Sequence, residues 1–358
     1  MSIRVTFLEE GKQRPEKIAE LLASFLGAAQ KSLHIAIYDF HLSAPVAEPI
    51  LRALRERAAA GVDVRIVYDA GKPTELYPAA GVIPPSPATA TFIRGIGNEI
   101  TSKAITGGRR RVLKLMHHKY IVRDGEMPTA SLWTGSMNWT EESWSLQENN
   151  ILCIDSADIC AYYETDFEEL WSQGDIGSSG IHDRGTANVN GARVTVAFAP
   201  GDGPTIDHDI ALRIGAARRR IKVCSVIITS GGILGALADS RHQGQVAHYG
   251  GIYDRTQMES VFRQWKGTPR EWKIGAFQQV AAGLAAKLST PYTPTSVHDF
   301  MHNKLLVLDD TVITGSYNFS HSATENAENV LMIEDPGLAD RYDAYIAGLV
   351  RRYGRVTN

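Results

Sequence analysis

One pattern of side chains occurs twice in this chain of 358 residues, and the stretches around the two copies match as well. The first copy runs His117-His118-Lys119, then Asp124, then Gly135-Ser136-Met137-Asn138. The second runs His302-Asn303-Lys304, then Asp309, then Gly315-Ser316-Tyr317-Asn318. From Ile35 to His117 is 82 residues, and from Ile221 to His302 is 81. Downstream, Asn-Asn-Ile-Leu-Cys-Ile-Asp at 149–155 answers Glu-Asn-Val-Leu-Met-Ile-Glu at 328–334. Helical patterns with aromatic and acidic residues follow at 158–171 and 338–353. Repetition on this scale means one structural unit used twice.

Each unit alternates helix and strand signals. Amphipathic helices are predicted over 15–30, 42–60 and 205–219, and strands over 32–38, 62–68 and 221–227. The class is α/β, with a mixed sheet and helices outside it in each unit. The boundary falls in 172–190, rich in Gly, Ser, Asn and Asp as a linker should be, so the domains are 1–178 and 179–358. Two irregular segments, 71–87 and 242–292, are the ones expected to shape a substrate groove.

Composition narrows the function classes. Hydrophobic residues make up 44% and charged residues 22%, which suits a globular protein. A net charge near -3 argues against a surface coated in basic residues, while leaving room for a basic cleft. No signal-peptide core and no membrane-spanning stretch is seen, so the expectation is a cytoplasmic protein. Cys153, Cys160 and Cys224 are too few for a disulfide framework and lack metal-ligand spacing, so no metal and no cofactor is expected.

The repeated residues suit phosphate chemistry. His117 and Lys119 lie two apart in a strand-like run and so share one side of it, as do His302 and Lys304. His118 and Asn303 point the other way. The small residues of each Gly-Ser-x-Asn run let a ligand come close, and the hydroxyl and amide can bind oxygen atoms.

This double pattern resembles the phospholipase D superfamily, whose signature is His-x-Lys-x4-Asp with a nearby Gly-Ser-x-Asn. The resemblance covers both halves, and in look it is closest to the bacterial nuclease branch. It implies two similar phospholipase D-like α/β/α domains joined in a pseudo-twofold arrangement. It also implies a metal-independent phosphodiesterase working through a phosphohistidine. His117 would be the nucleophile and His302 the acid and base, although the symmetry of the sequence leaves the two roles interchangeable. Lys119, Lys304, Asn138 and Asn318 would balance charge on the non-bridging oxygens. Glu148 and Glu328, each just before a closing strand, would hold the histidine rings and set their tautomers. Ser136 and Ser316 would bind substrate or shape the site. Asp124 and Asp309 would be structural, tying turns or the partner half together.

For the substrate, a nuclease acting on DNA or RNA is the first expectation. Trp139 and Phe319 follow the motif asparagines and could stack on bases, and Arg109-Arg110-Arg111 and Arg218-Arg219-Arg220 could contact a phosphate backbone. A phospholipase D that hydrolyses phospholipid head groups or transfers them is the alternative. An inactive nucleic-acid-binding module is a third. Because one chain carries both half-sites, no obligate protein partner is implied, and a monomer can supply the whole site.

Overall fold

A computed structural model describes residues 1–71, 87–108, 114–293 and 295–354. The N-terminal half contains β1 (Ser2–Leu8), α1 (Pro15–Gly27), β2 (Ser32–Ile37), β3 (Phe40–His41), α2 (Ala44–Ala59), β4 (Asp63–Asp69) and α3 (Pro87–Arg94). It continues through β5 (Thr101–Ile105), β6 (Lys119–Arg123), β7 (Ser131–Gly135), β8 (Trp139–Thr140), α4 (Glu141–Ser145), β9 (Asn149–Asp155) and α5 (Ala157–Gln173). The C-terminal half contains β10 (Gly185–Val189), β11 (Ala192–Ala199), α6 (Gly203–Ala216), β12 (Arg220–Ser225), α7 (Gly231–His242), β13 (His248–Asp254) and α8 (Arg255–Trp265). It ends with α9 (Trp272–Ala281), β14 (Ala285–Lys287), β15 (Lys304–Leu308), β16 (Thr311–Gly315), β17 (Glu328–Glu334) and α10 (Pro336–Tyr353).

The duplication is visible in strand order. The first sheet runs β1-β9-β7-β6-β2-β4-β5 and the second β10-β11-β17-β16-β15-β12-β13-β14, the same order with β10 added at one edge. In each sheet three strands are parallel, β2-β4-β5 and β12-β13-β14, and the rest pair antiparallel. β2 is buried on both faces, as a parallel strand between helical layers should be.

The helices follow from their apolar stripes and end signals. Pro15 opens α1, whose Ile18, Ala19, Leu22, Phe25 and Leu26 form one buried face against α2. Ser156 caps α5, which ends at Gly174 with φ 76°. Asp335 caps α10 in the same way, accepting from the backbone N–H of Leu338 at 2.9 Å. The outer core of each half lies under α1 and α2, or under α6, α7 and α9. A third core is shared: Tyr163, Phe167 and Leu170 of α5 and Tyr342, Ile346 and Leu349 of α10 pack in one cluster with inner residues of both sheets.

Two expectations are revised. The predicted linker 172–190 contains β10, which turns back on β11 through Asn190 and Gly191, both at positive φ. The motif strands begin at Lys119 and Lys304 rather than before the histidines, because the preceding residues turn to meet the other half. Most of the 71–87 segment, and Arg109-Arg110-Arg111, lie outside the described residues.

Candidate active site

Each motif lysine is the first residue of a central strand. Lys119 opens β6 opposite Ile37, and Lys304 opens β15 opposite Ser225. The two histidines sit just ahead of these strands, on segments gripped from behind and from across. Asp69 at the end of β4 accepts from Met116 N–H at 2.7 Å, and Asp254 at the end of β13 accepts from Met301 N–H at 3.0 Å. The His117 N–H donates to Ala327 O at 2.9 Å, and the Glu148 N–H reaches Phe300 O at 3.4 Å. Each histidine segment is therefore stitched to the strand entry of the opposite half.

The rings are held across the same boundary. His117 Nδ1 lies 2.8 Å from Glu328 Oε2, and His302 Nδ1 lies 3.0 Å from Asn149 Oδ1. Both partners are acceptors, so each Nδ1 carries the proton and each Nε2 is left as a free base. The acceptors are themselves fixed. Ser316 Oγ donates to Glu328 Oε2 at 2.6 Å, and Ser136 Oγ to Asn149 Oδ1 at 2.7 Å. The Asn149 amide donates to Ser143 O at 3.1 Å, which settles which end of that amide faces His302.

This corrects the expected ring-holders. Glu328 holds a histidine, but the one in the other half. Glu148 holds neither; its buried carboxylate accepts from Lys287 Nζ at 2.7 Å and from the Tyr353 hydroxyl. Side chains alternate along a strand, and Asn149, not Glu148, is in register with Glu328. Sequence reasoning missed Asn149 because it sought a carboxylate. It also missed Asn150 and Asn329. Asn150 Nδ2 donates to Asn303 Oδ1 at 2.9 Å across the halves, and Asn329 Nδ2 lies 3.2 Å from His118 Nδ1.

The electrostatics place the four motif groups within mutual range. Burial, followed by the charges of Lys119 and Lys304, holds the His117 imidazole well below its ordinary value. Burial, then Lys304, Lys119 and His117, does the same to His302. Burial pushes the Lys119 ammonium down to about 7 against the opposing pull of Glu328, Asp39 and Asp69. Lys304 is lowered well below the usual lysine range by burial and by Lys119. Glu328 is pushed up to about 7 by burial. The lysines are anchored, Lys119 Nζ to His117 O at 2.6 Å and Lys304 Nζ to His302 O at 2.7 Å, with His302 Nε2 3.1 Å from Lys304 Nζ. Tyr38 packs edge-on against His117, with ring centroids 4.8 Å apart. Lys119 and Lys304 feel each other's charge, so an anion bound between them would offset both their repulsion and their desolvation.

The remaining expected residues divide. The amide oxygens of Asn138 and Asn318 are buried without a hydrogen-bond partner among the described residues. Ser136 and Ser316 are fully buried and act on the ring-holders. Trp139 and Phe319 are core residues, each 1% exposed, so neither offers a face to a base; Trp139 packs edge-on against Phe40. Asp124 accepts the backbone N–H groups of Gln30, Lys31 and Ser32, and Asp309 those of Arg218, Arg219 and Arg220, tying the turn before β2 and before β12. Arg219 and Arg220 pair with Asp310, Asp340 and Asp343 at the end of β12 away from Ser225 and Lys304. That cluster lies at the opposite end of the sheet from the histidines, where Arg218 donates to the carbonyl oxygens of Gly215 and Ala217. Among the described residues no three His, Cys, Asp or Glu side chains converge in a way that could hold a metal ion, and no helix is long and apolar enough to cross a membrane.

Comparison with known proteins agrees with this geometry. The Xenopus laevis mitochondrial cardiolipin hydrolase is 31% identical over 157 residues, which is 44% of this chain and 62% of that protein. A Rickettsia bellii phospholipase D is 30% identical over 158 residues, 44% of this chain and 68% of that protein. The match thus spans about three fifths of the Xenopus protein and about two thirds of the Rickettsia one. The crystal structure of phosphatidylserine synthase from Haemophilus influenzae superposes with a TM-score of 0.66 at 12% identity, over 98% of this chain and 86% of that one, which shows a common fold. The family described as the cardiolipin synthase, phospholipase D-like domain matches twice, over residues 22–171 and 210–350, and the chain belongs to that family.

Proposed function

We propose that this chain is a metal-independent phosphodiesterase that cleaves phospholipids through a phosphohistidine. The observation that carries the chemistry is the pair of imidazoles, each with Nδ1 held by the opposite half and each under the charge of both lysines. A phosphodiester bound between Lys119 and Lys304 would have its non-bridging charge balanced by them and by the amides of Asn138 and Asn318. Its negative charge also offsets the positive field that keeps the rings neutral, so one ring can take up a proton. His117 Nε2 attacks phosphorus while His302 gives its proton to the leaving oxygen. Water then attacks the phosphohistidine, His302 takes the water's proton, and the P–N bond breaks. A neutral nucleophile avoids the repulsion an anionic one would meet.

Phospholipid is placed ahead of nucleic acid for three reasons. The matched relatives carry the names cardiolipin hydrolase and phospholipase D. Leu288, Tyr292 and Val297, on the segment leading to His302, are 56%, 48% and 50% exposed, an apolar rim suited to acyl chains. Of the features that favoured a nuclease, Trp139 and Phe319 lie in the core and Arg219 and Arg220 are in ion pairs, while Arg109-Arg110-Arg111 lie outside the described residues. A nuclease is the second reading, favoured by the half-exposed Tyr292 ring, which stacks on His298 at 4.9 Å and offers a platform for a base.

The test is a parallel assay on cardiolipin, phosphatidylcholine, single- and double-stranded DNA, and RNA, with and without chelator. Phospholipid turnover that survives chelation and falls at least about 10³-fold in His302→Ala is expected. Turnover of nucleic acid alone would replace the substrate. Loss on chelation, restored by a divalent ion, would overturn the mechanism.

A further inference from the structure

The two half-sites are built on one plan, yet the layer behind them differs. Behind His302 the hydrogen-bonded series consists of amides and hydroxyls: Asn149, Ser136 and Asn150, then Asn303, whose Nδ2 donates to the Tyr345 hydroxyl at 3.0 Å. Behind His117 the equivalent positions hold Glu328, Ser316, Asn329, then His118 and, on α5, Asp166. His118 Nε2 lies 3.2 Å from Asp166 Oδ2, close enough to pair but without hydrogen-bond alignment, and both side chains are fully buried. Asp166 also accepts from the Tyr120 hydroxyl at 2.6 Å. Asp183, from the segment joining the halves, is buried near it, and neither of its carboxylate oxygens has a hydrogen-bond partner among the described residues.

Donor and acceptor roles fix the ring. Asn329 Oδ1 receives the hydroxyls of Thr134 and Tyr163, each at 3.2 Å, so Nδ2 is the end that faces His118. His118 Nδ1 must then accept, and its proton must sit on Nε2, toward Asp166. The backbone N–H of Asn329 and its Nδ2 both point at Ser316 Oγ, at 3.0 and 3.4 Å, leaving that hydroxyl's own proton for Glu328. A series of hydrogen bonds therefore runs from His118 to the Nδ1 of His117, with the Asp166 carboxylate close behind His118.

We propose that His118, oriented by Asp166, is a positioning residue: it presents the acceptor that turns Asn329 toward Ser316, and thereby holds Glu328 on His117 Nδ1. It touches neither the substrate nor the reacting atoms. The mechanistic consequence rests on the function proposed above; the structural one does not. Losing the acceptor leaves the Asn329 amide held only through its Oδ1 by Thr134 and Tyr163, which loosens its 3.4 Å contact to Ser316, the hydroxyl that aims Glu328. Asparagine at 118 restores an acceptor in the manner of Asn303, whereas leucine does not.

The test compares His118→Leu with His118→Asn. Steady-state kinetics on the best substrate from the parallel assay are read together with ¹⁵N NMR of the His117 ring. Leucine is expected to lower kcat about tenfold to a hundredfold with KM unchanged, as loss of an outer-layer contact does, and to give His117 a mixed tautomer. Asparagine is expected to restore kcat to within about threefold of wild type and to return the single Nδ1–H form. Wild-type kcat in the leucine variant, equal loss in both variants, or an unaltered His117 tautomer would each overturn the proposal. If the leucine variant does not fold, Asn329→Ala, which removes the amide between His118 and Ser316, is read in the same way: a mixed tautomer supports the proposal and a single one overturns it. Should the wild type cleave no phosphodiester, the proposed function fails while the tautomer readout still decides this inference.

Discussion

Asn149 and Glu328 occupy equivalent positions, face equivalent rings and differ in charge. The amide can only orient His302, whereas the carboxylate can also stabilise positive charge on His117, which suits a ring that is to carry a phosphoryl group. Because Glu328 and Lys119 are displaced from opposite directions to the same region, about 7, the active form is confined. Glu328 must be ionised, which holds above that value; Lys119 and Lys304, both lowered, must be charged, which is lost as pH rises; His117, lowered well below 6.5, stays neutral throughout. The kcat/KM profile is therefore expected to be a narrow bell near neutrality. The alkaline limb of kcat should lie higher, because bound phosphate stabilises the ammonium. A kcat/KM plateau extending two pH units above 7 would contradict this. The motif residues were legible in the sequence because their spacing repeats. Asn149 was not, because nothing local distinguishes an amide aimed at a ring one domain away from an amide at a strand start.

At the scale of elements, the duplication foretold two sheets of matching order, and the amphipathic stripes placed α1, α2, α5, α6 and α10 within a few residues while leaving α3, α4, α7, α8 and α9 unread. The hairpin of β10 and β11 was written in Asn190-Gly191 but read as linker, because polar composition outweighed the turn signal. The same comparison explains Glu148. Its register counterpart is Ala327, and the counterpart of Lys287 on the edge strand is Ile105, both buried apolar residues. One half thus uses an ion pair where the other uses apolar contact. Glu148→Ala leaves Lys287 buried, with only Glu10 as a carboxylate partner 3.0 Å away, and is expected to cost about 3 kcal/mol. Adding Lys287→Ile should recover most of that stability in denaturant unfolding, with kcat changed by less than about threefold. A double variant no more stable than Glu148→Ala, or one that is inactive though folded, would show that the pair serves the site.

The whole molecule is less divisible than its repeat suggests. The shared core under α5 and α10, the crossed ring-holders and the Asn150–Asn303 contact all span the boundary between the halves. Calorimetry is therefore expected to show one cooperative transition. Asn150→Ala, which strips partners from Asn303, Thr314 and Tyr342, should lower that single transition rather than split it. Two resolved transitions would mean that the halves are independent. The crossing itself was not legible in the sequence, since periodicity reports which face of a strand is buried but not which half buries it.

The central claim is that two imidazoles serve one phosphorus atom, with His117 carrying the phosphoryl group. It is tested most directly by trapping. In His302→Asn the acid and base are removed, so an aryl phosphodiester, whose leaving group needs no proton, should still react once. Rapid quenching and peptide mass spectrometry are expected to find one equivalent of released phenolate per chain and a phosphoryl adduct on His117. An adduct on any other residue, or a burst with no adduct, would contradict the account.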